Sequence, residues 1–347
     1  MILSYFGFWS EGGRDMDPLN SSKMVQGKFT IDRVHKDCYS CAKRILHHLL
    51  SKIVSGHRSG EKVYKIAEIQ PNRPASIKNI RTCMEIKDKV IVVTGGAMGI
   101  GEALCRRFSE EKPAAVVVVD IEQEKADAVA GEIGGLAIRA DVSSEADIIN
   151  VVKQTEEKFG RIDLFCSNAG IISDDGPGWT AASAANEVWQ RSWDIHVMAH
   201  VYAARAALPG MLKRKEGYFL NTSSAAGLLN QIGSAPYSTT KHAALGFAES
   251  LAITHGDDGI QVSLLCPQAV NTQMVAGNED GSASVDGIME PEELAEIVVQ
   301  GLKEELFLIL PHPEVKTYFQ RKASDYERWI GGMQRFRQKV FKSMFSK

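Results

Sequence analysis

The sequence predicts an α/β protein, a doubly wound parallel sheet whose crossover helices cover both faces. Three observations carry this. Apolar, largely β-branched runs of strand length alternate with helix-period segments four times between residues 89 and 167. A glycine-rich turn, TGGAMGIG from Thr94 to Gly101, joins the first strand to the first helix. Thr94, Asp120, Asp141 and Asn168 all fall at the carboxyl ends of strands, the edge beyond which such sheets hold their ligands.

The first unit, KVIVVTGGAMGIG over residues 89–101, is strand, turn and helix. Gly95, Gly99 and Gly101 let the backbone bend and approach a pyrophosphate, and the helix N-terminus offers unpaired N–H groups to an anion. A helix over 102–110 leads to a buried strand over 115–119, ended by Asp120, nineteen residues after Gly101. That is where a dinucleotide-binding fold needs a carboxylate on the adenosine ribose hydroxyls. Asp120 would repel a 2′-phosphate and no Arg or Lys follows it directly, so NAD is expected rather than NADP. A helix over 122–132 and a short strand over 136–140 precede Asp141-Val142. Ser144 caps a helix over 145–159 that Gly160 closes. The strand over 163–167 then ends in Asn168-Ala169-Gly170. A long helix is expected over 187–213, a strand over 218–222, and a helix running from Tyr237 to about residue 255.

Charge is divided unevenly along the chain. Residues 1–87 hold 15 Lys/Arg against 8 Asp/Glu, and residues 88–347 hold 25 against 35, within an overall charge of −3. So acidic a domain does not match the basic footprint of a nucleic-acid binder. The six cysteines form no disulfide framework, and Cys105, Cys166 and Cys266 lie in apolar patterns typical of buried thiols. A reducing, cytoplasmic setting is expected. No apolar stretch is long enough to span a bilayer. Residues 1–84 read as a basic, poorly ordered extension with one amphipathic helix over 41–54. An organelle-targeting role, or an upstream extension to a protein starting near Met84, are open alternatives. His35, Cys38, Cys41, His47 and His48 match no common zinc spacing, and no metal is expected.

Ser224 ends the strand over 218–222 and its Ser223, Tyr237 follows thirteen residues later, and Lys241 lies one helical turn beyond. A phenol with a pKa of about 10 is a poor base at neutral pH. A neighbouring ammonium is expected to lower it, so that Tyr237 exchanges a proton with a hydroxyl or carbonyl. Ser224 would donate a hydrogen bond to the same oxygen. Lys241 would also hold ribose hydroxyls.

Together these residues resemble the classical short-chain dehydrogenase/reductase family. The likeness covers about residues 85–310 and rests on Thr94-Gly95, Gly99-Ile100-Gly101, Asp120, Asp141-Val142, Asn168-Ala169-Gly170, Ser224, Tyr237, Lys241, Cys266-Pro267 and Thr272. The resemblance implies a single Rossmann-type domain over 85–313 with seven parallel strands. It implies NAD lying across the strand tips, with Pro267, Val270 and Thr272 beside the nicotinamide, and a homodimer or homotetramer built through the long helices. There are two departures. His196 stands where the family has an Asn that anchors a proton-relay water, and an imidazole can itself pass protons, so His196 joins the expected catalytic set. Gln268 stands where the family has a Gly, which would shift the adjoining loop or reach the substrate.

The loop over 271–289 is small and polar, as a closing lid would be, with Met274, Val275 and Ile288 suggesting a partly apolar alcohol or ketone. The tail over 314–347 carries aromatics among Lys and Arg and is expected to be helical, broken in two at Gly331-Gly332. Packing on its own subunit or a neighbour is preferred over membrane-surface binding. The expected activity is NAD-dependent interconversion of a secondary alcohol and a ketone. The rival is an NAD(H)-binding protein of the same fold without useful turnover.

Overall fold

The computed structural model describes residues 84–176, 180–276 and 282–345. The extension over 1–83, its expected helix, its His/Cys cluster and part of the 271–289 loop fall outside these. Seven parallel strands form one sheet in the order β3-β2-β1-β4-β5-β6-β7. The first half alternates β1 (Val90–Thr94), α1 (Gly99–Glu110), β2 (Ala115–Asp120), α2 (Gln123–Ile133), β3 (Leu136–Arg139), α3 (Glu145–Phe159) and β4 (Leu164–Ser167). The second contains α4 (Asn186–Trp193), α5 (Ala199–Arg214), β5 (Gly217–Thr222), the short α6 (Ala226–Leu229), α7 (Ala235–His255), β6 (Ile260–Leu265), α8 (Pro291–Lys303) and β7 (Leu308–Ile309). Two further helices, α9 (Pro313–Ser324) and α10 (Tyr326–Phe345), close the chain.

The period of two in each strand divides the core. On β1, Val92 joins Val117, Phe165 and Phe219 on the face covered by α3, α5 and α7. Ile91 and Val93 join Val118, Leu164 and Leu220 on the face covered by α1, α2 and α8. Both faces are covered, which is why β1 and β2 are continuous apolar runs rather than alternating ones. Cys105, Cys166 and Cys266 are buried free thiols within this core.

Two local expectations fail, each for a physical reason. The tail does not break at Gly331-Gly332, because α10 runs through both. It breaks at Asp325, whose non-helical backbone ends α9 and whose carboxylate accepts the Arg328 N–H at 3.0 Å to cap α10. Glycine costs a helix about 1 kcal/mol per residue, which packing of the neighbouring Trp329 offsets. The helix expected over 187–213 is interrupted by a π turn at Asp194–Met198, closed from the Ala199 N–H to the Asp194 carbonyl. Such one-residue insertions cluster at functional sites.

This π turn carries His196, which is wholly buried. Its Nε2 accepts the Ile171 N–H at 3.1 Å, so Nδ1 carries the proton and donates to Thr240 Oγ1 at 2.9 Å. The Thr240 hydroxyl donates onward to the Pro236 carbonyl at 2.8 Å. One turn on, His200 is also buried, and neither of its ring nitrogens has a hydrogen-bond partner among the described residues. Burial, reinforced by the positive Lys241, pushes His196 down to about 2 and His200 down to about 3.

Both histidines are therefore neutral in the folded protein, whereas in the unfolded chain they protonate near pH 6.5. Below that pH the unfolded state binds more protons, so stability present above pH 6.5 is lost as pH falls. Each contributes a slope of up to about 1.4 kcal/mol per pH unit. Denaturant unfolding between pH 7 and pH 5 will show this loss, and His196→Asn and His200→Phe will each flatten the slope. Slopes unchanged in both variants would contradict the assignment.

Candidate active site

The glycine turn after β1 is built by close approach. Gly95 has a φ of 65°, and a Cβ there would lie 2.9 Å from the Ala169 Cα. Gly99 has a φ of 56°, and a Cβ there would lie 3.0 Å from the Thr272 Cγ2, bringing the loop after β6 against the start of α1. Both are positions that a side chain would strain. Gly101 differs: it does not line the cleft, and a Cβ there would overlap the Gly95 carbonyl. Its close approach packs the helix on the turn.

Hydrogen bonds tie the strand tips together. Thr94 Oγ1 accepts the N–H groups of Asn168 at 3.0 Å and Ala169 at 3.2 Å. The Asn168 amide donates to the Thr94 carbonyl at 3.2 Å, and the Thr222 hydroxyl donates to Asn168 Oδ1 at 3.2 Å. Lys241 Nζ then donates to the Thr222 carbonyl at 3.0 Å. One polar chain thus runs from the glycine turn across β4 and β5 to the buried ammonium.

A cleft of about 1070 Å³ follows this edge. Its wall includes Gly95, Gly99, Ile100, Asp120, Asp141, Val142, Asn168, Ala169, Gly170, Pro267, Val270 and Thr272. Asp120 lines it, its carboxylate accepting the Ala97 and Glu122 N–H groups, each at 3.1 Å. Asp141 is braced by Ser143, whose N–H and hydroxyl both donate to it. The turn, the carboxylate and the helix terminus together fit a dinucleotide.

A second cavity, of about 930 Å³, opens beyond the cleft. Ser224 and Tyr237 line both. Lys241 lines the first only, its Nζ 5.6 Å from the centre of the Tyr237 ring. Burial pushes the Tyr237 phenol up, with the Ser224 hydroxyl beside it acting in the opposite direction. Burial thus outweighs any lowering by Lys241, whose Nζ donates to the Thr222 carbonyl. Burial lowers Lys241 itself to about 8.

His196 lines neither cavity. It stands edge-on behind Tyr237, ring centres 5.4 Å apart, with both nitrogens engaged. A neutral ring so tied joins the Tyr237 helix to the loop after β4. Gln268 lines both cavities, and its amide donates to Asp286 Oδ2 at 2.9 Å, fastening the loop after β6. Its φ is not in the left-handed region, so the missing glycine costs no backbone strain.

Sequence reasoning missed Asp175. Its Oδ1 accepts the Ala235 N–H at 2.6 Å, capping the helix that carries Tyr237 and Lys241 from 60 residues away. The helix has no side-chain cap of its own, and a partner so distant leaves no local signal. Arg191, on the shared wall of both cavities, was also unforeseen.

Among the described residues no group of three or more His, Cys, Asp or Glu is placed to hold a metal ion. No described helix is long and apolar enough to cross a membrane.

Comparison with known proteins agrees with this geometry. The short chain dehydrogenase family matches residues 89–283. Meso-2,3-butanediol dehydrogenase of Serratia marcescens is 33% identical over 227 residues, which cover 62% of this chain and 87% of that protein. Human epidermal retinol dehydrogenase 2 is 29% identical over 236 residues, 65% of this chain and 75% of its own. Among solved structures, a short chain dehydrogenase/reductase of Burkholderia phymatum in complex with NAD superposes with a TM-score of 0.64 at 24% identity, covering 70% of this chain and 96% of that one. The 3-ketoacyl-(acyl-carrier-protein) reductase of Brucella melitensis complexed with NADH gives 0.60 at 28% identity, over 65% and 96%. With more than half of its length matched and the glycine turn, strand-tip carboxylate and Ser-Tyr-Lys trio in one edge, the chain belongs to the short-chain dehydrogenase family.

Proposed function

We propose that the protein is an NAD-dependent oxidoreductase that interconverts a secondary alcohol and a ketone, with Tyr237 as the acid/base. The observation that supports this most directly is the shared wall. Ser224 and Tyr237 face the nucleotide cleft and the second cavity at once, so an oxygen bound beside them lies between the two. A bound nicotinamide supplies a two-electron hydride acceptor or donor. In oxidation the alcohol carbon gives up its hydride and the alcohol oxygen its proton, which Tyr237 takes. Ser224 donates to that oxygen, and its own fixed place comes from the Ala226 N–H that it accepts at 3.1 Å. Lys241, depressed to about 8 and with one neutral carbonyl partner, has donors left for ribose hydroxyls and a charge to set against a phenolate. His196 and Asp175 are positioning residues that hold the Tyr237 helix from either side.

The relatives complexed with NAD and NADH support the same cofactor here, as does Asp120. Self-association is proposed through the long helices α5 and α7, on the second of which Ile253 is 84% exposed.

Tyr237→Phe will lower turnover by about 10²- to 10⁴-fold while cofactor binding, followed by NADH fluorescence, is retained. Near-normal turnover in this variant would sink the mechanism. Normal NADH binding with no turnover of any alcohol by the unaltered protein would instead favour a binding protein. Asp120→Asn keeps the side-chain shape but removes the charge, and is expected to raise NADPH affinity by about tenfold relative to NADH. Sedimentation of Ile253→Glu will show a smaller species than the parent chain; identical profiles would move the interface elsewhere.

A further inference from the structure

The second cavity is much larger than a simple alcohol requires. At about 930 Å³ it lies near the top of the range for drug-sized ligands. Its roof comes from α10, where Trp329, Met333, Phe336 and Val340 line it at spacings of four, three and four residues, one face of a helix. Ile171 and Leu229 line it from the body of the domain. This roof lies beyond residue 283, where the match to the family ends.

The helix that precedes the roof, α9, is fastened to the body of the domain. Lys322 on α9 is 7% exposed, donates to the Leu228 carbonyl at 2.7 Å and lies 3.3 Å from His242 Nε2. Tyr318 donates to Asp286 Oδ1 at 3.0 Å, and the other oxygen of Asp286 holds Gln268. The side chain of Val315 is wholly buried beneath α9. The apolar stripe of α10 therefore faces a cavity.

We propose that this cavity binds an elongated, mostly apolar secondary alcohol or its ketone. The carbinol carbon lies at Ser224 and Tyr237, and the hydrocarbon runs under α10, where Trp329, Met333, Phe336 and Val340 set the accepted length. The proposal rests on the hydride-transfer reading for the position of the carbinol. The size and polarity of the ligand rest on the cavity alone. Relatives named for substrates as different as butanediol and retinol do not choose between a small and a large ligand, whereas the roof does.

The test uses the full-length protein and 2-alkanols from 2-butanol to 2-decanol, with two readouts. Calorimetric binding to the NADH-loaded protein, where no reaction occurs, is expected to tighten by about fourfold per added methylene. NADH formation from NAD and the same alcohols gives kcat/KM for each length. Trp329→Ala and Phe336→Ala are expected to cut the ratio of kcat/KM for 2-decanol over 2-butanol, and Met333→Trp to shorten the longest alcohol bound. Ratios within one variant are insensitive to partial misfolding, which thermal melting checks separately. Binding that stays flat beyond 2-butanol, or variants that change all lengths equally, would overturn the proposal. If binding tightens with length but no alcohol yields NADH, the cavity assignment stands and the hydride-transfer reading falls. If 2-butanol is oxidised as well as 2-decanol, the chemistry stands and the cavity assignment falls.

Discussion

The constraint on which the site depends is the burial of one ammonium. Lys241 is 3% exposed, and its Nζ meets the Thr222 carbonyl at the tip of β5. A buried cation with one neutral partner is costly, and the cost shows as a pKa lowered to about 8. Its positive charge then helps to hold His196 and His200 neutral, so that the histidines act as apolar and hydrogen-bonding walls rather than as further charges. Thr222 is in turn tied through Asn168 to Thr94, which links the ammonium to the glycine turn at the opposite side of the edge.

Around that cation the fold spends unusual local structure to aim Tyr237. The π turn at Asp194–Met198 inserts a residue into a long helix and sets His196 against the Tyr237 ring. Asp175 caps the Tyr237 helix from a loop after β4. Both supports come from elements outside the helix, so the orientation of the phenol is a tertiary property. The same holds for Gln268, whose bond to Asp286 ties the loop after β6 to Tyr318 on α9.

The C-terminal helices reach the space beyond Tyr237. α9 is pinned by Lys322 to the carbonyl of Leu228 and by Tyr318 to Asp286, and α10 follows it over the second cavity. An amphipathic basic helix at a chain end packs on its own subunit or a neighbour, or lies on a membrane surface, and packing is the preferred expectation here. Which it is depends on what its apolar face meets, and here it meets the space beyond Tyr237.

Much of the fold was legible in the residues. The apolar runs at Val90–Thr94 and Ala115–Asp120, the turn between them and the strand-tip polar residues follow from local patterns of period two and 3.6, and they predicted the doubly wound parallel sheet in order. The broken tail was misread because Gly331-Gly332 is a local signal, whereas Asp325 ends α9 through its own capping bond. The upward push that burial gives Tyr237 and the hydrogen bonds that hold His196 lay beyond sequence reasoning for a deeper reason. Spacing places a lysine one turn from a tyrosine, but burial and hydrogen-bond partners decide the charge each carries, and those partners lie on other strands and helices. The sequence by itself determined the elements, their order and which residues gather at one edge of the sheet, because each is written within a few neighbouring positions. Only the tertiary structure decided that His196 is buried behind Tyr237 and that α10 lines the second cavity, because each depends on contacts made across tens of residues.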